Sequence, residues 1–125
     1  MNGRRSIPPG LTAELLLDVF DLPVSFHRCL VPITGGVTAA LMLSQAIWTS
    51  EALDPEVGGW FCRSQEEWTE ETGLSRCEQE TARRALRSGG FLEERRAGMP
   101  AKLWFRVRPE AVGRALQAHA NPVRR

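Results

Sequence analysis

Residues 64–108 read SQEEWTEETGLSRCEQETARRALRSGGFLEERRAGMPAKLWFRVR. In this stretch Ser64 is followed three residues later by Glu67, which is the capping-box pattern of a helix N-terminus. Gly73 predicts a tight turn at the end of that helix, and Ser75 is a residue type that commonly caps the next one. The stretch therefore begins with two helices joined by a short glycine turn.

The second half of the stretch predicts a helix end and a β-hairpin. The second helix should run to about Ser88, because two consecutive glycines follow it and stop a helix. Alternating apolar and polar residues then predict two short strands, separated by a turn at residues 97–101. Residues 60–62 (WFC) predict a further short strand that pairs with this hairpin. We therefore expect an α+β fold, mainly α, with a small antiparallel sheet.

At 125 residues the chain is long enough for one domain with a modest core. We expect this domain to comprise a mobile arm at 1–9, an N-terminal extension at 10–33, a core at 34–108, a C-terminal helix at 109–120 and a tail at 121–125. The core should open with a mostly apolar helix from Thr34 or Gly35 to about Ser50. The extension should contain a leucine-rich helix and then an extended segment at 24–33, which Pro32 would stop.

Cysteine spacing and hydropathy indicate which metal or redox chemistry the chain can support and in which cellular compartment we expect it. Cys29, Cys62 and Cys77 form no CxxC pair and no metal-ligand spacing, which is typical of reduced thiols in the cytoplasm. The two arginines near the N-terminus are not followed by the apolar stretch of a signal peptide. The longest apolar run, at 37–48, is too short to span a bilayer. We expect a cytoplasmic protein with no membrane segment, no metal and no cofactor.

Motifs of catalysis are missing from the sequence. His27 and His119 are far apart and have no catalytic partner nearby, and the chain has no tyrosine. It contains no P-loop, no nucleophile-elbow motif and no zinc-protease motif. We therefore expect that this protein is not an enzyme.

The net charge of +1 hides an uneven distribution. Residues 1–72 carry four arginines against ten acidic residues, whereas residues 73–108 carry nine cationic residues against four acidic ones. Residues 109–125 carry three arginines against one glutamate. Positive charge is thus concentrated in the second helix and the hairpin, which is the pattern expected of a surface that binds nucleic acid.

A helical wheel separates a core face from a basic face in helix 75–88. At about 100° per residue, Gln79, Ala82 and Leu86 share one side and should face the core. The opposite side is the candidate DNA-binding face, which comprises Arg76, Cys77, Glu80, Thr81, Arg83, Arg84 and Arg87. Arg76 lies in the first turn and is the candidate for a bidentate contact to guanine, and the later arginines should contact phosphates. Because Arg83 and Arg87 are expected to be exposed, their reversal to glutamate should abolish DNA binding and leave the fold intact.

Two acidic residues on this helix, Glu78 and Glu80, leave a second interpretation open. Glu80 either pairs with a neighbouring arginine at helical spacing or accepts a hydrogen bond from cytosine N4. In the second interpretation, the whole face is an exposed, salt-bridged surface that binds no nucleic acid.

The hairpin, called the wing below, supplies the remaining candidate contacts. Leu103, Phe105 and Val107 should point inward, and the residues between them outward. The candidate phosphate contacts are Arg95, Arg96, Lys102 and Arg106. Trp104 points outward in this alternation and is expected to stack on Trp60 of the neighbouring strand.

Several residue patterns together resemble the winged helix-turn-helix domains of bacterial mobile elements, including phage and plasmid replication-initiator-like proteins and related regulators. The patterns are ITGG at 33–36, ALMLSQAIW at 40–48, GWF at 59–61, SQEEW at 64–68, TGLSR at 72–76, RRAL at 83–86, GFL at 90–92 and GMPAKLWF at 98–105. The resemblance covers about residues 30–108. It implies a three-helix core with a small antiparallel β-wing, here with extra N- and C-terminal helices. Helix 75–88 would enter the major groove, and the wing at 91–108 would lie on the DNA backbone.

Two functions remain open at this stage. The first is a sequence-dependent double-stranded DNA-binding protein that acts as a transcriptional regulator or a replication accessory. The second is a protein-interaction module on the same fold, which docks on a host complex or a nucleic-acid-guided defence complex as an adaptor or inhibitor. The first gains if the basic residues of 73–108 converge on one surface, and the second gains if nearby glutamates neutralise them. The leucine-rich segment 11–22 either covers the core helix or forms a homodimer interface.

Overall fold

The computed structural model describes residues 23–120, so the predicted arm, the leucine-rich helix and the tail at 121–125 lie outside the described residues. The described part has an α+β fold that is mainly helical, with five α-helices and one three-stranded antiparallel sheet. The elements are α1 (Leu30–Thr34), α2 (Val37–Glu51), β1 (Trp60–Cys62), α3 (Gln65–Thr72), α4 (Arg76–Ser88), β2 (Leu92–Ala97), β3 (Lys102–Val107) and α5 (Pro109–Ala120). Between residues 23 and 120, no helix has both the length and the apolarity needed to cross a bilayer.

The prediction of an extended segment at 24–33 is wrong at its C-terminal end, where α1 forms. The β-branched Val31 and Ile33 favour a strand locally. Pro32 is tolerated because it lies in the first turn, where backbone N–H groups have no helical partner. Leu30 is buried in the core, so tertiary packing stabilises a helix that local preference does not favour.

Helix α2 begins at Val37, later than the predicted Thr34 or Gly35. The Thr34 hydroxyl donates to the Leu30 carbonyl at 2.7 Å, so this side chain belongs to the end of α1 and does not cap α2. Beyond that start the prediction of a central core helix is confirmed. Ala40, Met42, Leu43 and Ala46 are fully buried.

Helices α3 and α4 begin where the sequence predicts and are joined by the predicted glycine turn. Each starts with a complete capping box, formed by Ser64 with Glu67 and by Ser75 with Glu78. Gly73 ends α3 with a φ of 79°, in the left-handed region that favours glycine. Local sequence signals thus determine where both helices begin and where α3 ends.

Removing the cap of α4 should destabilise the protein measurably. Ser75→Ala deletes the hydroxyl that accepts from the Glu78 backbone N–H at 3.2 Å, and we expect the free energy of unfolding to fall by about 1 kcal/mol. Urea denaturation followed by circular dichroism measures this change. Ser88→Ala, at the exposed C-terminus of the same helix, is the matched control and should change stability by less than about 0.5 kcal/mol. Equal losses in the two variants would contradict the capping role.

The sheet has the strand order β1-β3-β2, which confirms that residues 60–62 pair with the wing. Phe61 and Phe105 face each other across β1 and β3 and stack with ring centroids 5.9 Å apart. Trp68 of α3 packs edge-on against Phe105 at 5.3 Å. These three rings join the sheet to α3, and Trp68, which is almost fully buried, anchors that helix in the core.

On the face of the sheet away from Phe61 and Phe105, one prediction is wrong. Trp104 lies across from Cys62, whereas Trp60 lies across from Arg106. The Trp60 ring therefore stacks with arginine and not with Trp104. The guanidinium carbons of Arg95 and Arg106 lie 4.3 and 4.8 Å from the ring centroid, within the range of cation–π interactions.

Candidate nucleic-acid interface

The two faces predicted for α4 are largely present in the structure. Gln79, Ala82 and Leu86 are buried, as predicted. The side chains exposed on the outer side of the helix are Arg76, Cys77, Glu80, Thr81, Arg84 and Arg87. Of the seven helix residues proposed from the wheel, only Arg83 is withdrawn from this surface.

Gln79 holds this helix at its angle to α3, a role that the wheel does not reveal. Its side-chain Nε2 lies 3.1 Å from the Gln65 carbonyl, 2.9 Å from the Thr69 hydroxyl and 3.1 Å from the Leu74 carbonyl. These acceptors belong to α3 and to the turn, so one buried amide connects both helices and the segment between them. The available sequence signal was a polar residue on an otherwise apolar helix face, since buried polar groups are normally hydrogen-bonded.

Arg83 lies at the edge of the core and not on the exposed face. Its Nε and Nη2 donate to the two carboxylate oxygens of Glu94 on β2 at 2.8 and 2.7 Å. The Nη1 of Arg87 donates to the same carboxylate at 2.9 Å. The side chains of Arg83 and Glu94 are only 16% and 8% exposed. Arg83 follows Gln79 by one helical turn, so it projects at the border of the buried face, towards β2.

Glu94, Arg83 and Arg87 form a group that is called the Glu94 cluster below. Its ion pairs shift the pKa values of Glu94 and Arg83. Burial raises the pKa of the Glu94 carboxyl, but the hydrogen bonds and charges of Arg83 and Arg87 outweigh burial and hold the pKa below its ordinary value. The hydrogen bond to Glu94 raises the pKa of Arg83 in return. Glu94 is therefore ionised at neutral pH and cancels one of the two arginine charges. The expectation that Arg83 is exposed is therefore wrong, and we expect its reversal to glutamate to disturb the fold as well.

A second carboxylate neutralises the outer side of the sheet in the same way. Glu93 accepts from Arg106 and from Arg108, each at 2.7 Å, and Arg108 also donates to Glu110 at 2.8 Å. The hydrogen bond from Arg106 lowers the pKa of Glu93, with a further contribution from Arg108. Arg106, proposed as a phosphate contact, is thus engaged within the protein by Glu93 and Trp60.

The remaining candidate cations are exposed and, in residues 23–120, form no ion pair. They are Arg76, Arg84, Arg95, Arg96 and Lys102. Arg96 lies two residues after Glu94 on β2 and therefore on the sheet face that packs against α4. Lys102 and Arg95 lie on the other face. The wing thus presents cations on both of its faces, only one of which adjoins α4.

The acidic residues of 73–108 reduce the positive charge of this region without cancelling it. Glu94 contacts two arginines, so this group retains one positive charge. Arg106 and Arg108, in contrast, are balanced by Glu93 and Glu110. Glu78 serves the cap of α4, and Glu80 is exposed beside the arginines of the helix. Within the described range no three potential metal ligands come together, and the three cysteines are free thiols.

Comparison of the chain with protein-family models, with curated proteins and with solved structures finds no match. The assignment of a function therefore depends on the geometry and charge of this surface.

Proposed function

We propose that this chain is a winged helix-turn-helix protein that binds double-stranded DNA, with α4 in the major groove and the wing on the adjacent backbone. The observation that carries the proposal is the exposed face of α4, where Arg76 and Arg84 form no ion pair with any described residue. The capping box at Ser75 and the buried amide of Gln79 hold this face in a defined orientation. An α-helix with its side chains is about 10–12 Å across, and the major groove is about 12 Å wide.

Within this proposal the candidate residues have different roles. Arg76 in the first turn reads base edges, together with the neighbouring Cys77 and Thr81. Arg84 and the outer nitrogens of Arg87 contact phosphates on one side, and Arg96 and Lys102 of the wing contact the backbone on the other. Arg83 contacts no DNA, since it holds the helix against β2 through Glu94. A regulator or a replication accessory of a mobile element fits this arrangement, as the sequence resemblance implies.

Binding to a labelled random duplex, measured by fluorescence anisotropy at several salt concentrations, tests the proposal. Four phosphate contacts predict that log affinity falls with log salt with a slope of about −3 to −4. A preferred site selected from a random pool should bind more tightly than the random duplex. Failure to bind at low salt, or affinity that does not depend on salt, would contradict DNA binding by this surface.

One observation favours a second candidate function, a protein-interaction module that docks on a host complex. Four arginines of 73–108 are engaged by Glu93 and Glu94, which is the internal neutralisation expected of a surface that does not contact phosphate. This candidate predicts no salt-dependent DNA binding in the same titration. The homodimer considered for residues 11–22 concerns a segment outside the described residues.

A further inference from the structure

The tip of the wing exposes an apolar side chain that contributes nothing to the core. The last paired residues of the hairpin are Ala97 and Lys102, and residues 98–101 project beyond them. Met99, within this tip, is 98% exposed. Its neighbours Ala97, Pro100 and Ala101 are small or apolar as well, so the tip as a whole is an uncharged wedge.

Cations stand on both faces of the hairpin directly behind this tip. Lys102 pairs with Ala97, and Arg96 pairs with Leu103 one residue further back. Because side chains alternate between the faces of a strand pair, Arg96 and Lys102 lie on opposite faces. The wing is therefore apolar at its end and positively charged on each side.

The backbone conformation of the tip is restricted by the strand pairing beside it and by its own residues. Six consecutive residue pairs join β2 to β3 up to the turn. Gly98 has a φ of 100°, in a region that L side chains rarely adopt and that favours glycine. Pro100 has a restricted φ and donates no backbone hydrogen bond. Met99 is thus presented at the end of a short, ordered ladder.

The minor groove of DNA is a partner whose chemistry fits this arrangement. The groove is about 6 Å wide and is walled on both sides by phosphates, which suits a hairpin with a cation on each face. Apolar wedges that enter the minor groove, methionine among them, insert between base pairs and kink the duplex. The unbranched thioether side chain of methionine adapts its shape to an irregular gap.

We propose that Met99 is a minor-groove wedge, which inserts at a base step and kinks the DNA while Arg96 and Lys102 hold the two phosphate strands. This inference deepens the proposed function and rests on it, because it requires that the protein binds duplex DNA. It assigns bending of DNA to the wing and leaves readout of bases to α4.

Measurement of DNA bending separates the two proposals. A duplex of about 25 base pairs with a fluorophore at each end reports the end-to-end distance by energy transfer, and 2-aminopurine placed within it reports unstacking. We expect the wild type to bend the duplex by an angle in the range of about 20–90° and to raise 2-aminopurine fluorescence at one step. Met99→Ala should bind without either signal, and Met99→Leu should retain both.

Val57→Ala is the matched control, since Val57 is also an exposed apolar residue but lies outside the wing. It should leave bending unchanged. Wild-type protein that binds with no bend, or Met99→Ala protein that bends DNA as the wild type does, would overturn the wedge and leave DNA binding by α4 intact. Wild-type protein that does not bind at all would overturn the proposed function together with the wedge, and would indicate a protein partner for the tip.

Discussion

Glu94→Ala should lower the free energy of unfolding by about 2–4 kcal/mol, because it leaves two arginines without their shared carboxylate. Removing one partner of a fully buried ion pair costs about 3–5 kcal/mol, and the range is reduced here because Arg83 retains some contact with water. For a chain of this size, such a loss should lower the melting temperature by roughly 10 °C. Urea and thermal denaturation at neutral pH measure both quantities.

Glu93→Ala is the matched control for this prediction. Glu93 is the preceding residue on β2 and also contacts two arginines, but its side chain is 32% exposed. We expect a loss of at most about 1 kcal/mol, as for other exposed ion pairs. Losses of equal size in the two variants would show that burial of the Glu94 cluster does not increase its contribution to the free energy of unfolding.

The pH dependence of stability gives a second readout of the same carboxylate. The folded-state pKa of Glu94 lies below its unfolded value of about 4.3, so its contribution is complete above that pH. The contribution is lost as the pH falls through the folded-state pKa, because the carboxyl is then protonated in both states. The stability difference between the wild type and Glu94→Ala should therefore shrink on acidification from pH 5 downwards. A difference that stays constant would contradict an ionised Glu94.

The variant Arg76→Glu/Arg84→Glu should weaken DNA binding at least about 100-fold, with the fold unchanged. It replaces a proposed base contact, worth about 1–3 kcal/mol, and a proposed phosphate contact with repelling charges. Both side chains are exposed and form no ion pair among residues 23–120, so the melting temperature should stay near that of the wild type. Fluorescence anisotropy at fixed salt measures the affinity, and the salt slope should become shallower.

A variant with the same change of net charge at another place distinguishes contact from general repulsion. Arg28 and Arg114 are exposed outside α4 and the wing, and Arg28→Glu/Arg114→Glu changes the net charge equally. We expect a much smaller loss of affinity. Equal losses in the two double variants would reject α4 as the binding surface. The pair Arg83 and Arg87 is unsuitable for this test, because reversal of Arg83 also breaks the Glu94 cluster.

Much of the fold was predictable because its signals are local. The capping boxes at Ser64 and Ser75, the turn at Gly73 and the start of α5 at Pro109 each depend on a few neighbouring residues. The alternation in β3 predicts the buried Phe105 and Val107 in the same way. Helix α1 was not predictable from such signals, since its β-branched residues favour a strand and packing of Leu30, Val31 and Ile33 against the core stabilises the helix.

The candidate site shows the same division between local and tertiary information. Residue order and helical period are enough to identify α4 as the basic helix, to separate its two faces and to locate the basic wing. Arg83 and Arg84 are adjacent and chemically identical, and helical period alone, which places Arg83 at the border of the buried face, does not tell which of them is paired within the protein. Packing of α4 against β2 makes that distinction, because it brings Glu94 to Arg83 from eleven positions along the chain and leaves Arg84 in water. A charge in a sequence becomes a surface charge only when the tertiary structure provides no buried partner for it.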